Sequence, residues 1–209
     1  MRFERKYRIE GKPAATVKQL LRFHPASFRE LYPDRQVNNI YFDTPALETF
    51  HQNVYGKNER KKFRVRWYGE ILDAAGEAQL EIKIKHNELG EKQSFAVQAF
   101  SLPDIESLTQ EVNRVANGAV MQPILLNAYR RSYLISRDGR FRVTVDRDMR
   151  YHTLLASAWF HRYQIADDAV IVEVKYEEAE DEYAPFITQH MPFRQAKHSK
   201  YVQGIQLTI

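Results

Sequence analysis

The chain has 209 residues, 44% of them hydrophobic, with 31 Lys and Arg against 27 Asp and Glu, a formal charge of +4. That is the size of one domain with a real core, and its mild basicity suits an anionic partner without choosing among nucleic acid, phosphorylated metabolite and membrane surface. Absence of cysteine excludes disulfides, cysteine-zinc sites and thiol nucleophiles, and with neither a signal-peptide core nor an apolar run of spanning length a soluble, cytoplasmic chain is expected.

Strand-like alternation opens the chain. RFERKYRI (2–9) sets Glu4, Lys6 and Arg8 on one face and Phe3, Tyr7 and Ile9 on the other. A helix is predicted over 15–23, with Val17, Leu20 and Leu21 on its apolar side. A strand over 37–44 ends at Pro45, and a short helix over 46–56 closes at Gly56. Strands follow at 61–69, 78–86 and 92–100, with a turn at 73–77 and a bend at Gly90. A helix over 104–116, carrying Ile105, Leu108 and Val112, stops at Asn117-Gly118. Strands at 127–135 and 140–146 are joined by the Asp138-Gly139 turn. Segments 160–166 and 169–176 read as a pair around Asp167-Asp168, and Trp159 and Phe160 read as core. A helix near 183–190 and the tail FRQAKHSKYVQGI complete the chain, which shows no repeat or linker and reads as one domain over 1–209.

The charged faces are the chief signal. FRVRWYG (63–69) places Arg64 and Arg66 opposite Phe63, Val65 and Trp67, and LEIKIKH (80–86) places Glu81, Lys83 and Lys85 opposite Leu80, Ile82 and Ile84. RFRVTVD (140–146) carries Arg140, Arg142, Thr144 and Asp146, and VIVEVKY (170–176) carries Glu173 and Lys175. A single such strand is ordinarily half of a sheet with one face in water. Five of them are harder to leave in water, because like charges on neighbouring strands repel. The expected fold is α+β and strand-dominated: a closed antiparallel eight-stranded barrel with a charged interior, covered by short helices, with a two-sheet sandwich as the fallback. If the charged faces converge, they line a pocket for a highly anionic substrate.

Other signals carry less. The aromatic residues Tyr7, Tyr41, Trp67, Tyr68 and Tyr201 fall mostly on the apolar parity and read as core, so a nucleic-acid stacking platform is not expected. The seven histidines show no HExxH spacing and read as packing or surface residues. Asp167-Asp168 and the acidic run 177–182 read as a solvated helix start.

Eight motifs in order give the chain a family resemblance. They are FERKY (3–7), IYFDTP (40–45), RKKFRVRWYG (60–69), LEIKIKHNELGEK (80–92), YRRSY (129–133), FRVTVDRDM (141–149), VEVKY (172–176) and HSKYVQGI (198–205). Together they resemble the VTC domain, the polyphosphate polymerase domain of vacuolar transporter chaperones, within the CYTH-like triphosphate tunnel metalloenzyme superfamily. Tyr133 departs from the pattern, standing where a small residue often follows Tyr-x-Arg, and Arg130 adds a charge beside Arg131.

The resemblance implies a basic tunnel that binds a chain of phosphates, with a divalent metal, Mn2+ or Mg2+, at its reactive end. It assigns phosphate binding to Lys6, Arg64, Arg66, Lys83, Lys92, Arg131, Arg142, Lys197 and Lys200, with Lys6, Arg64, Arg66, Lys83 and Lys200 as the catalytic set. Glu173 would be the principal metal ligand, with Glu4 and Glu81 beside it and Asp146 a weaker candidate. The substrate would be ATP or another triphosphate, and the product polyphosphate. A triphosphatase or a non-catalytic polyphosphate or inositol-polyphosphate sensor of the same fold is the alternative. The 209 residues lack the helical phosphate-binding domain and membrane anchor of the eukaryotic members, so coupling synthesis to transport would require a membrane-protein partner. The oligomeric state is open.

Overall fold

The computed structural model describes residues 2–70, 77–86, 89–155 and 164–209. The turn expected at 73–77 (all but Glu77), the first four residues of the strand expected at 160–166, and Trp159 and Phe160 lie outside them. The strands are β1 (Arg2–Ile9), β2 (Arg29–Asp43), β3 (Glu59–Tyr68), β4 (Gln79–His86), β5 (Leu89–Ala96), β6 (Gln122–Ile135), β7 (Arg142–Thr153), β8 (Ile165–Asp167) and β9 (Val170–Glu177). The α-helices are α1 (Ala14–Arg22), α2 (Glu48–Val54), α3 (Ile105–Ala116), α4 (Ala184–Thr188) and α5 (Lys200–Thr208). Strand order is β6-β2-β3-β4-β5-β1-β9-β7-β8, and β6 also pairs with β7, so eight of the strands make a ring. This is the strand-dominated α+β class with eight antiparallel strands that the alternation predicts. β8 lies beside β7 and not in a hairpin with β9. No helix among the described residues is long and apolar enough to cross a membrane.

The chain divides into two compact units. Unit 1 comprises Met1–Arg35, Tyr129–Met149 and Asp167–His198. Its core is built from the apolar parity of β1, β7 and β9: Tyr7 and Ile9, Val143 and Val145, Val170, Val172, Val174 and Tyr176. Val17 and Leu21 of α1 and Ala184 and Ile187 of α4 cover this layer. The 3.6-residue repeat places Val17 and Leu21 one turn apart on a single face, and burying each contributes about 1.5–3 kcal/mol. His24 closes α1 as a structural residue: Nδ1 accepts from the Ala26 N–H at 3.0 Å and Nε2 lies 2.9 Å from the Ile187 carbonyl oxygen.

Unit 2 comprises Gln36–Ala128, Arg150–Ala166 and Ser199–Ile209. Its core takes Ile40 and Phe42, Phe63, Val65 and Trp67, Leu80 and Ile82, capped by Leu108 and Val112 of α3. Helix α5 contains Gly204, and a Cβ there would run into the side chains of Leu125 and Tyr151, both fully buried. Alanine is the better helix former by about 1 kcal/mol, but overpacking costs about 1–3 kcal/mol where neighbours cannot yield. Gly204→Ala is therefore expected to lower stability by about 1 kcal/mol or more in urea unfolding. A more stable variant would show that α5 has room to shift.

Candidate functional site

Register makes unit 2 the more cationic of the two. Residues directly opposite on β3, β4 and β5 form rows: Lys62, Lys83 and Lys92; Arg64, Glu81 and Ser94; Arg60, Lys85 and Gly90. With Arg66 this face holds seven cations, and Glu81 is its one carboxylate. The other parity supplies the core residues Phe63, Val65, Leu80 and Ile82. Like charges directly opposite each other destabilise strand pairing, so a row of three lysines is a feature that an anionic ligand would relieve.

Glu81 is the counter-ion of that face. It is buried, and burial pushes its carboxyl up. Arg64, then Arg66 and Lys92, overcome this and hold it well below the usual carboxylate range. Arg64 reaches it at 2.7 Å through Nε and 2.5 Å through Nη2, and Lys92 at 2.9 Å, while Arg66 is 3.7 Å away and donates to Asn39 Oδ1 at 2.9 Å. Both Glu81 oxygens are thus taken by cations, which argues for alignment of Arg64 and Lys92 over metal binding.

Two motifs that carry the family resemblance do structural work in unit 2. Asp43 of IYFDTP accepts from the backbone N–H groups of Thr44, Thr49 and Phe50 at 2.8, 2.8 and 2.9 Å, tying down the start of α2. The Tyr201 hydroxyl of HSKY donates to the same carboxylate. Burial and the neighbouring Asp43 push that hydroxyl's pKa up, so it stays a donor. Ser199 caps α5, accepting from the Val202 N–H at 3.3 Å, and also accepts from Lys62 Nζ at 2.9 Å. Lys200, the first residue of α5, is buried.

Unit 1 mixes both signs. Its rows run across β7, β9 and β1: Arg142, Lys175 and Glu4; Thr144, Glu173 and Lys6. Glu173 is buried, with Lys175 at 2.9 Å, Lys6 at 3.3 Å and Arg131 at 3.7 Å. Glu4 shares both lysines, at 3.5 Å from Lys175 and 3.8 Å from Lys6. Arg131 of β6 forks onto Asp146 of β7 at 2.6 and 2.7 Å, and Asp146 is fully buried. Burial opposes the charge on Arg131, but Asp146, then Tyr129, raise its pKa well above the ordinary value. Asp146, read from the sequence as a weak metal candidate, is the bidentate partner of Arg131.

A cavity of about 370 Å³ opens in unit 1, lined among others by Arg131, Arg142, Thr144 and Lys175. Arg142 has no ion-pair partner among the described residues and stands directly opposite Lys175. The Thr144 hydroxyl is buried on the same wall and lacks a hydrogen-bond partner among the described residues. Sequence reasoning assigned Thr144 no role. Its place on the charged parity of β7, between Arg142 and Asp146, is the signal that could have found it.

Not every predicted residue joins these groups. Lys197 is exposed and makes no ion pair among the described residues, although neighbouring Ala196 donates its N–H to the Lys6 carbonyl at 2.8 Å. Asp167 is not a solvated helix start. It is buried and accepts both arms of the Arg8 guanidinium at 2.8 and 3.0 Å, because a carboxylate facing a planar fork is held bidentately. Of the aromatic residues, Tyr7, Tyr41, Trp67 and Tyr201 are buried as expected and Tyr68 is half exposed.

Across its whole length, residues 1–209, the sequence matches the profile of the VTC domain. The chain belongs to the VTC domain family. Subunit 4 of the vacuolar transporter chaperone complex of Trypanosoma brucei brucei is 25% identical over 222 aligned positions, covering 81% of this chain and 28% of that protein. The chain thus spans just over a quarter of that relative's length. Among solved structures, a Bacillus halodurans protein assigned as an adenylate cyclase aligns with a TM-score of 0.58 at 13% identity, over 97% of this chain and 96% of that one. A Pyrococcus horikoshii protein gives 0.56 at 12% identity, over 99% and 98%. A Hippeastrum protein assigned as an adenylyl cyclase, with a dominant triphosphatase activity, gives 0.54 at 17% identity, over 100% and 97%. At these identities the likeness is one of fold alone.

The family resemblance implies a divalent cation, and the acidic residues of the chain bear on whether one fits. Among the described residues no group of three or more His, Cys, Asp or Glu is arranged to hold a metal. Mg2+ and Mn2+ do not need such a cage when substrate phosphates complete the shell, since one or two carboxylates then suffice. Glu173 and Glu4 meet that requirement, because they share Lys6 and Lys175 in one network on unit 1. Each of their oxygens faces a lysine, as those of Glu81 face Arg64 and Lys92; what sets the pair apart is that it offers two carboxylates, where Glu81 is alone on its face.

Proposed function

We propose that this chain is a metal-dependent polyphosphate polymerase that transfers the γ-phosphoryl group of ATP to the end of a growing polyphosphate chain. The observation that carries this reading is the β3–β5 face, where seven cations accompany a single carboxylate. Such a surface calls for a ligand with about one negative charge per phosphate. Lysine supplies a movable point charge and arginine a rigid fork for phosphate oxygens. In unit 1, Arg142 and Lys175 would hold triphosphate oxygens while Thr144 donates its hydroxyl to one of them. Glu173 with Glu4 would hold Mn2+ or Mg2+, which when bound neutralises charge developing on the bridging and leaving phosphate oxygens.

In the transfer, an oxygen of orthophosphate or of the polyphosphate end attacks the γ-phosphorus. The bond from that phosphorus to the β,γ-bridging oxygen breaks, and ADP leaves with that oxygen. Positioning and charge stabilisation suffice for such a step, so no covalent nucleophile is asked of the chain. Family membership supports the reading, as does the relative from a vacuolar transporter chaperone complex. A second reading is a triphosphatase in which water replaces the phosphate acceptor, supported by the activity of the Hippeastrum protein of like fold. A binding-only sensor would have no use for the paired carboxylates Glu4 and Glu173.

ADP release from ATP with Mn2+ separates these readings when acceptor is varied. Transfer predicts release that rises severalfold and saturates as orthophosphate or a short polyphosphate primer is added. Release that ignores or declines with acceptor is the hydrolase result, and absence of release at any acceptor concentration is the sensor result.

A further inference from the structure

The unit 1 cavity that holds Arg142, Lys175 and Thr144 is also walled by Tyr32 and Tyr133. Their rings meet edge to face, with centroids 5.9 Å apart at 79°. The Arg35 guanidinium lies over both, 5.6 Å from the Tyr32 centroid and 5.9 Å from that of Tyr133. Tyr32 comes from β2 and is 51% exposed. Neither residue belongs to the apolar cluster that forms the core of this unit.

The two halves of the cavity wall have different chemistry. Arg2 is neutralised by Glu177 at 2.6 Å and Arg140 by Glu180 at 3.1 Å, while Arg142 stands opposite Lys175. The cationic excess therefore lies with Arg142, which stands beside Lys175 while Lys175 faces Glu173 at 2.9 Å and Glu4 at 3.5 Å, and the tyrosine pair supplies flat π-surface. A volume of about 370 Å³ lies within the range of small-molecule pockets.

We infer that Tyr32 and Tyr133, held by Arg35, form a nucleobase shelf that makes this cavity a nucleoside triphosphate subsite and sets the preference for ATP over inorganic tripolyphosphate. The inference rests on the reading of Arg142 and Lys175 as a triphosphate site. A purine ring stacks on the exposed tyrosine face, while its phosphates reach the cationic wall. Base-on-aromatic stacking is worth on the order of tenfold in affinity for each ring lost to alanine.

The test titrates the protein with the non-hydrolysable β,γ-imido analogue of ATP and separately with tripolyphosphate, in the presence of Mg2+. Tyr133→Ala and Tyr32→Ala are each expected to weaken the nucleotide about tenfold and to leave tripolyphosphate within twofold of wild type. Tyr133→Phe, which keeps the ring, is expected to restore nucleotide affinity. Equal losses for both ligands overturn the shelf, because they would report general damage to the cavity; unchanged nucleotide affinity in both alanine variants overturns it as well. Tripolyphosphate binding without nucleotide discrimination in the wild type sinks the shelf alone. Failure of the wild type to bind either ligand sinks the phosphate site and the shelf together.

Discussion

Replacing Glu173 by Gln is expected to lower Mn2+-dependent ATP turnover by two orders of magnitude or more. Glu173 is buried, yet Lys6 and Lys175 bring its charge into a network that includes Glu4. In the proposed mechanism its carboxylate is the principal anchor for the divalent ion. Losing that ion removes several kcal/mol of stabilisation from the transferring phosphoryl group, and each 1.36 kcal/mol is tenfold in rate. Gln keeps the shape and can still accept from a lysine, so far-ultraviolet circular dichroism and the melting profile should stay close to wild type. Manganese titration should show the loss directly. Turnover and Mn2+ affinity equal to wild type would remove Glu173 as the ligand and leave it as a counter-ion of Lys6 and Lys175.

Asp146→Asn carries the largest expected effect on stability, a loss of about 3–5 kcal/mol in urea unfolding. The fork between Asp146 and Arg131 is buried on both sides. Breaking a buried pair by removing one partner leaves a charge without compensation, and the loss takes that size. Glu173, at 3.7 Å, is too far from Arg131 to replace a bidentate partner. Replacing both residues by apolar ones, Arg131→Met with Asp146→Leu, should recover most of the loss, because no lone charge is then left in the interior. A single Asn variant within about half a kcal/mol of wild type would mean that the pair is hydrated in solution and that Arg131 is a phosphate ligand first.

Much of this architecture is legible in the sequence because alternation is a local signal. The period-2 charges of 2–9, 63–69, 80–86 and 170–176 place β1, β3, β4 and β9 to within about two residues, and apolar spacing finds α1 and α3. β2 is longer than predicted. It starts at Arg29, where RELYPDRQ lacks alternation and is interrupted by Pro33. Main-chain pairing, and not burial, defines that half of the strand, whose side chains are exposed or half-buried. β7 likewise runs on to Thr153, through Asp148 in the left-handed conformation (φ 54°), beside the point where the chain passes from unit 1 to unit 2. A left-handed Asp within a strand has no counterpart in the alternation pattern, although Asp tolerates that conformation better than most residues.

The site was legible as a set of positions and not as a set of pairs. Parity identified Lys6, Arg64, Arg66, Lys83, Glu81, Glu173 and Arg142 as belonging to charged faces. Which carboxylate answers which cation depends on register between strands distant in sequence, as for Glu173 with Lys6 or Arg131 with Asp146. Tyr32 escaped because it lies in the polar half of β2, and Thr144 because a lone hydroxyl between charged neighbours carries no signature of its own. Asp43 and Tyr201 lie in two of the family motifs, and their carboxylate and hydroxyl satisfy one another and the start of α2. A motif can mark a buried polar lock as readily as a ligand contact.

The central claim is that the cationic faces serve the building of phosphate chains. The most direct measurement incubates the protein with ATP labelled at the γ-phosphate and Mn2+, then resolves the labelled products by size. Label in chains that lengthen with time, matched by ADP, is the result expected of a polymerase. Label recovered only as orthophosphate, or remaining in ATP, would contradict that claim.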